Sequence, residues 1–383
     1  MFRKMPIILI AIIFVLIIAN QFIPTQIQSV LYALSLTIIS LLVSILPIII
    51  FILLFKTAAN LAKHATMLIF LIFVGVCISN FIGTMLSFNV GKLIYQLDLQ
   101  LQLPESVQPL IPTWSFSFPK LISNDKAMFA GLIIGILSAV FKPVFTLKIA
   151  NYLDRIVDKI FLVIVCVMPL FITGFVIKLI HDKIIFMIIS QYAVIFFSIV
   201  IAQFSYICLL YLIYSKFRFS VFITCLKNMS PAAIAGLGTM SSAASMPLTL
   251  IGTEKNSQHP SLVRAIIPTT VNIHLIGDCF AIPIFAFAVL KTFGLPDPTF
   301  LQYLVFALYF VLAKFSAAGV PAGGIMVMLP VLAAHLGFNS EMTTLITALY
   351  VLFDPIFTCA NIMGNGAFAL LIANLYTRLK KLT

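Results

Sequence analysis

Charge is what this chain has least of. Only 9% of its 383 residues are charged, 11 of them acidic and 23 basic, where a soluble domain carries about 25%. A folded body of this size in water needs a polar surface, and this composition does not supply one. Tryptophan is nearly absent, with a single residue at Trp114. The six cysteines (Cys77, Cys166, Cys208, Cys225, Cys279, Cys359) fall in apolar segments with no CxxC pair and no metal-ligand spacing. They read as small buried apolar residues, and neither a disulfide framework, a cofactor nor a metal centre is expected. A strict polar–apolar alternation is missing as well. Apolar runs continue far beyond the roughly ten residues of a barrel strand, which excludes a transmembrane β-barrel. No HExxH or GxSxG motif and no paired catalytic aspartates occur, so nothing marks an enzyme.

What the chain does have is apolar length. It is 62% hydrophobic, with a mean hydropathy of +1.18. One crossing takes about 20 apolar residues, so the chain has room for roughly eight to eleven crossings and little else. The net charge of +12 comes from short basic clusters between apolar runs. That is the positive-inside pattern, not a nucleic-acid surface.

Apolar runs cover 6–23, 30–55, 66–87, 128–141, 160–180 and 186–214. The first is too long for a signal-peptide core and lacks a small-residue cleavage site, so it reads as a first span. Arg3 and Lys4, Lys56 and Lys63, the Lys142–Lys159 cluster, Lys216, Arg218, Lys227 and finally Arg378, Lys380 and Lys381 mark one side. Both termini are therefore expected in the cytoplasm. The stretch 89–126, with Asp98, Glu105, Asp125 and Trp114, reads as an external loop or as an interrupted segment at the interface.

The C-terminal half is patterned differently. The run 231–251 is studded with small and polar residues and flanked on both sides by basic ones, which points to re-entry and return instead of crossing. The run 266–290 contains Asn272, His274, Gly277 and Asp278. The run 302–336 is broken by small residues at 316–324. The last, 342–376, contains Asp354, Pro355, Thr358, Asn361, Gly364 and Asn365. Two interrupted hairpins, each followed by a polar-broken helix, have the form of an inverted repeat. In secondary transporters such repeats hold the substrate and ion site near the midplane.

Two carboxylates, Asp278 and Asp354, fall in the hydrocarbon zone, at a cost of about 2.5–3.5 kcal/mol each on the most lenient scale. Such residues serve either as a structural ion pair or as a ligand or proton site. Lys314 is a third such charge, facing inward or snorkelling to an interface. His274 lies one turn before Asp278 and would share its face on a continuous helix, as a proton carrier or a hydrogen-bonded packing residue. Ser241 and Ser242 are either helix-packing residues or a hairpin tip whose N–H groups take a carboxylate. Gly319, Gly323 and Gly324 permit a second tip with close backbone approach.

Four segments in this order resemble the dicarboxylate/amino acid:cation symporters, the family that includes the glutamate transporters. They are Met240-Ser-Ser-Ala-Ala-Ser-Met-Pro-Leu-Thr249, 268–277, Ala318-Gly-Val-Pro-Ala-Gly-Gly324 and Asp354-Pro-Ile-Phe-Thr-Cys-Ala-Asn-Ile-Met-Gly364. The resemblance implies an all-α polytopic membrane protein with eight transmembrane helices and two re-entrant helical hairpins, in a glutamate-transporter-like elevator fold. It implies a homotrimer in the inner (plasma) membrane. Residues 1–229 would be mainly scaffold and 230–383 the moving core, joined by the third and sixth spans. Asp354, Thr358 and Asn361 would hold the substrate's polar head. Backbone at Ser241, Ser242 and Gly319 would take its carboxylate. Ala318, Val320, Pro321, Gly323 and Gly324 would form the gate. Phe357 stands where acidic-amino-acid carriers place an arginine, and Met240 where some members place a substitute one. Asn365 and Ile276 stand where the family has cation-binding aspartates.

The function expected is secondary transport of a small amino acid or dicarboxylate, driven by protons instead of sodium or without a cation, with sodium held by backbone carbonyls alone as the open alternative. His274, Asp278, Lys314, Asn361 and Asn365 are the candidate coupling residues. A non-transporting receptor or an anion-conducting pore on the same fold is the alternative.

Overall fold

The computed structural model describes residues 5–63, 67–97, 110–116, 118–119, 122, 124–182, 185–317 and 322–380. Its regular structure among these is helical throughout. The N-terminal part comprises α1 (Met5–Ala19), a 3-10 turn (Asn20–Phe22), α2 (Thr25–Lys63), α3 (Met67–Gln96), α4 (Asn124–Phe141), α5 (Pro143–His181) and α6 (Ile185–Tyr214). The C-terminal part comprises α7 (Phe219–Thr239), α8 (Ser242–Asn256), α9 (Pro260–Thr270), α10 (Ile276–Thr292), α11 (Phe300–Lys314), α12 (Gly323–Leu336) and α13 (Ser340–Lys380). Among the described residues, four helices are long and apolar enough to cross a membrane: α3, α7, α13 and the 192–214 part of α6. Of these α13 is the most buried, sealed almost throughout 357–373, whereas the others are buried over about a quarter of their apolar stretch.

Two groups of packed helices emerge. In the first, α2 packs against both α4 and α5. Small residues set the spacing: a Cβ on Gly131 or Gly135 of α4 would stand 2.6 Å from the Phe51 carbonyl oxygen or 2.7 Å from that of Phe55. The opposite face of α4 leaves Ile133, Ile134, Ile136, Leu137 and Val140 exposed, a surface suited to lipid. The Lys56–Asp154 ion pair of 2.5 Å ties α2 to α5. In the second group α13 is central, packed by α6, α7, α8, α9 and α10, while α3 covers α10.

Three segments are placed more closely than the sequence allows, and the last corrects it. The basic cluster at Lys148, Arg155 and Lys159 lies in the first half of α5, which starts 17 residues before the apolar run does. The described residues between 110 and 119 lie along α2 itself, with Trp114 Nε1 donating to Thr37 Oγ1 at 3.0 Å and the Phe118 N–H to Ser40 Oγ at 2.8 Å. The last apolar segment is not broken: α13 runs as one helix through Pro355. A proline inside a membrane helix frees one carbonyl, which neighbouring helices re-satisfy without the helix ending.

The breaks that do occur have local causes. Helix α7 ends at Met240 in the left-handed region (φ 50°), and Ser241 then caps α8 by accepting the Ala244 N–H on Oγ. A polar side chain in the extended conformation takes a first-turn N–H that has no helical partner. Between α9 and α10 the chain unwinds over 271–275, just after Pro268. Helix α11 opens on Thr299, whose hydroxyl accepts the Gln302 N–H. Helix α12 opens on Ala322, again left-handed at φ 58°. Thus α7–α8 and α11–α12 pack as two helical hairpins, the first turning at 240–241, the second with α11 ending at Lys314 and α12 starting at Gly323.

Candidate functional site

Residues 350, 354, 358, 361 and 365 recur at intervals of four, four, three and four, which places them on one stripe of α13. All five, Tyr350, Asp354, Thr358, Asn361 and Asn365, are buried. The stripe is met by the start of α10 and the start of α12, and the end of α11 reaches the α10 residue bonded to it.

Asp354 sits under the second hairpin tip. Its Oδ2 accepts the Ala322 N–H at 2.8 Å and its Oδ1 the Thr358 hydroxyl at 3.0 Å. Each carboxylate oxygen thus holds one donor, one from its own helix and one from the tip. The first hairpin reaches the same place from the other side. A Cβ on Gly236, one turn before the first tip, would touch Ile362 and lie 3.5 Å from the Thr358 methyl. In that tip Ser241 caps α8, Ser242 is buried, and the Thr239 and Ser245 hydroxyls are 3.1 Å apart.

Asp278, in the first turn of α10, forms a second and tighter cluster. Its Oδ2 receives the Lys314 ammonium at 2.7 Å. Its Oδ1 receives the Tyr350 hydroxyl at 2.7 Å and the Asn361 amide at 3.0 Å. The Asp278 N–H returns to Asn361 Oδ1 at 3.4 Å. Lys314 and Asp278 are 0% and 1% exposed. The Lys314 ammonium also lies 4.9 Å from the centre of the Phe310 ring, within reach of a cation–π contact. Lys314 therefore does not snorkel. Gly324 closes this cluster: a Cβ there would run into the Asp278 carboxylate and stand 2.7 Å from the Tyr350 hydroxyl.

The remaining candidates divide. His274 and Asp278 are not brought together. The four-residue spacing assumes a continuous helix, whereas α10 starts at Ile276, after His274. His274 turns to α3 instead, with Nε2 2.9 Å from Ser79 Oγ and its ring stacked on Phe368 at 4.2 Å. Asn365 is buried, with no partner for its side-chain amide among the described residues. Phe357 belongs to an aromatic cluster, 5.4 Å from Tyr350 and 5.9 Å from Phe285 between ring centres. Gly323 and Gly324 open α12, while Ala318, Gly319, Val320 and Pro321 lie outside the described residues. Sequence reasoning passed over Tyr350, although it lies one turn before Asp354 on the same stripe. It also passed over Ala322, whose backbone N–H no side-chain pattern announces. Among the described residues no group of three His, Cys, Asp or Glu side chains could hold a metal ion.

Comparison with known proteins places this arrangement. The model of the sodium:dicarboxylate symporter family matches residues 5–375. The chain is 29% identical over 245 residues to excitatory amino acid transporter 3 of Mus musculus, covering 62% of this chain and 45% of that protein. It is 31% identical over 142 residues to an excitatory amino acid transporter of Onchocerca volvulus, covering 37% and 28%. It is 28% identical over 149 residues to a putative sodium-dependent excitatory amino acid transporter of Caenorhabditis elegans, covering 39% and 30%. The chain thus spans about half or less of the length of these relatives. With a family match that covers nearly the whole chain, this helical membrane protein belongs to the sodium:dicarboxylate symporter family.

Proposed function

We propose that the chain is a secondary transporter that carries a small amino acid across the cell's inner (plasma) membrane, with dicarboxylates a weaker class of cargo. The observation that carries this reading is the Asp354 carboxylate. It is 3% exposed and holds the second hairpin tip through the Ala322 N–H. A buried carboxylate held by a backbone N–H at a helix start has two uses for one acceptor. Without cargo, Oδ2 binds the Ala322 N–H. With cargo present, the substrate ammonium takes that oxygen as a charge-assisted bond, which is the stronger of the two. Thr358 and Asn361 lie on the same stripe to orient the head group. The first tip, at Ser241 and Ser242, offers helix-start N–H groups to the substrate carboxylate, and Gly319 would extend the second tip over it.

The side-chain end of the cargo meets Phe357. Its ring is packed against Phe285 and Tyr350, and a phenyl group offers a second carboxylate no bidentate partner. A neutral amino acid therefore fits better than aspartate or glutamate. The architecture that goes with this reading has eight crossings plus the two hairpins. A core of 230–383 with the third and sixth spans moves as an elevator against a trimeric scaffold, and both termini are cytoplasmic.

Uptake of a labelled amino-acid and dicarboxylate panel into proteoliposomes tests the reading. Saturable uptake of at least one neutral amino acid is expected. Binding without uptake would make the protein a receptor, and uptake that does not saturate would make it a pore.

A further inference from the structure

A hard cation binds where several oxygens and a negative charge converge. The buried core of this protein has two carboxylates facing the hairpins, Asp278 and Asp354, and both are already engaged. Asp354 holds the Ala322 N–H and the Thr358 hydroxyl. Asp278 holds three donors, among them an ammonium, and Gly324 is packed against it. Among the described residues the buried side-chain amide oxygens left without a partner, those of Asn20, Asn80, Gln203, Asn272 and Asn365, carry no charge. What the core contains among the described residues, in place of an open anionic site, is a lysine with no exposure at all.

We propose that the Lys314 ammonium is a cation built permanently into the core, so that the carrier needs no coupling sodium. This deepens the transport reading and rests on it. Lys314 is the last residue of α11, and Asp278 belongs to the first turn of α10. The 2.7 Å ion pair therefore fastens the inner end of the second hairpin's first arm to the helix beside it. Tyr350 and Asn361 bring α13 into the same knot. A diffusible cation in that position would draw these elements together only while bound. A tethered ammonium holds them in every state, so the Asp278 charge is neutralised without an ion gradient.

The test compares sodium with choline chloride at equal ionic strength and pH, using the full chain without substrate and reading the thermal unfolding of the wild type, Lys314→Ala and the double variant Asp278→Asn/Lys314→Met. The wild type and the double variant are expected to unfold at the same temperature in both salts. Lys314→Ala leaves a space beside a charged carboxylate, and sodium is expected to raise its unfolding temperature or to be required for a folded protein. Stabilisation of the wild type by sodium would overturn the proposal, by placing an ion among the neutral amides. So would a Lys314→Ala variant that behaves identically in the two salts, folded or not. In proteoliposomes, a fall in wild-type uptake of about tenfold or more on replacing sodium, one decade of affinity, would overturn it as well. The unfolding measurements need no transport. A chain that moves none of the panel refutes the carrier reading but still reports whether sodium binds.

Discussion

The Asp278–Lys314 pair makes a prediction whose size follows from its surroundings. Both side chains are sealed, at 1% and 0% exposure, and the ammonium sits 2.7 Å from Oδ2. Replacing Asp278 by asparagine removes the charge that compensates Lys314. It also leaves one carbonyl oxygen to serve the ammonium, the Tyr350 hydroxyl and the Asn361 amide, which now share two. Removing one partner of a buried pair costs about 3–5 kcal/mol, whereas replacing both by apolar groups of similar volume is often neutral or stabilising. Lys314→Met keeps the aliphatic stem and its packing on Phe310, and should cost as much as Asp278→Asn because Asp278 is then the orphan. The double variant should recover most of the loss, with a coupling of at least about 2 kcal/mol between the sites. At about 2 °C per kcal/mol for a large domain, each single change should lower the unfolding temperature by roughly 6–10 °C. Thermal unfolding of the four proteins in one detergent, at one scan rate, is the assay. Single variants within about 2 °C of the wild type, or a double variant as impaired as the sum of the two, would show that the pair is not the energetic knot its burial implies.

Three further outcomes are expected. Asp354→Asn keeps an oxygen for the Ala322 N–H but loses the charge, so it should remain folded while substrate affinity falls by roughly 10–100-fold, the worth of a hydrogen bond to a charged group; wild-type uptake and affinity would show that the residue does not touch substrate. In competition uptake, aspartate should bind no better than serine or alanine, because Phe357 is closed into an aromatic cluster; tenfold preference for aspartate, about 1.4 kcal/mol, would mean another residue supplies the missing cation. Gly324→Ala puts a methyl into the Asp278 carboxylate and the Tyr350 hydroxyl and should destabilise the protein by about 1–3 kcal/mol, whereas Gly238→Ala, with nothing within 4 Å of a Cβ, should lack that clash in the same melting assay.

The hairpins were legible because their signals are local. Serines, glycines and prolines interrupt apolar runs at 240–247 and 316–324, and the structure ends or starts helices there. Asp278, Lys314 and Asp354 stood out because charge is so scarce. What could not be read was which of them meet. Spacing pointed His274 at Asp278, yet five unwound residues rotate the chain so that the imidazole faces Ser79 on α3. Tyr350 looked like one more aromatic residue in an apolar helix. Its hydroxyl became significant only when α10 brought a carboxylate within 2.7 Å. The broken form expected for 342–376 failed for the opposite reason: Pro355 is a strong local signal, but α13 runs through it as one helix, half-buried at the proline and sealed almost throughout 357–373.

Ala322 grips Asp354 from a strained position. Its φ of 58° is a conformation that costs an L-residue with a Cβ about 1–2 kcal/mol, and the residue carries this load while its N–H holds Asp354. Glycine at 322 would bear no such strain. If the proposed carrier works by parting Ala322 from Asp354, the step that breaks this hydrogen bond also relaxes the backbone. A load of that size is worth a factor of about five or more in the balance between the two arrangements.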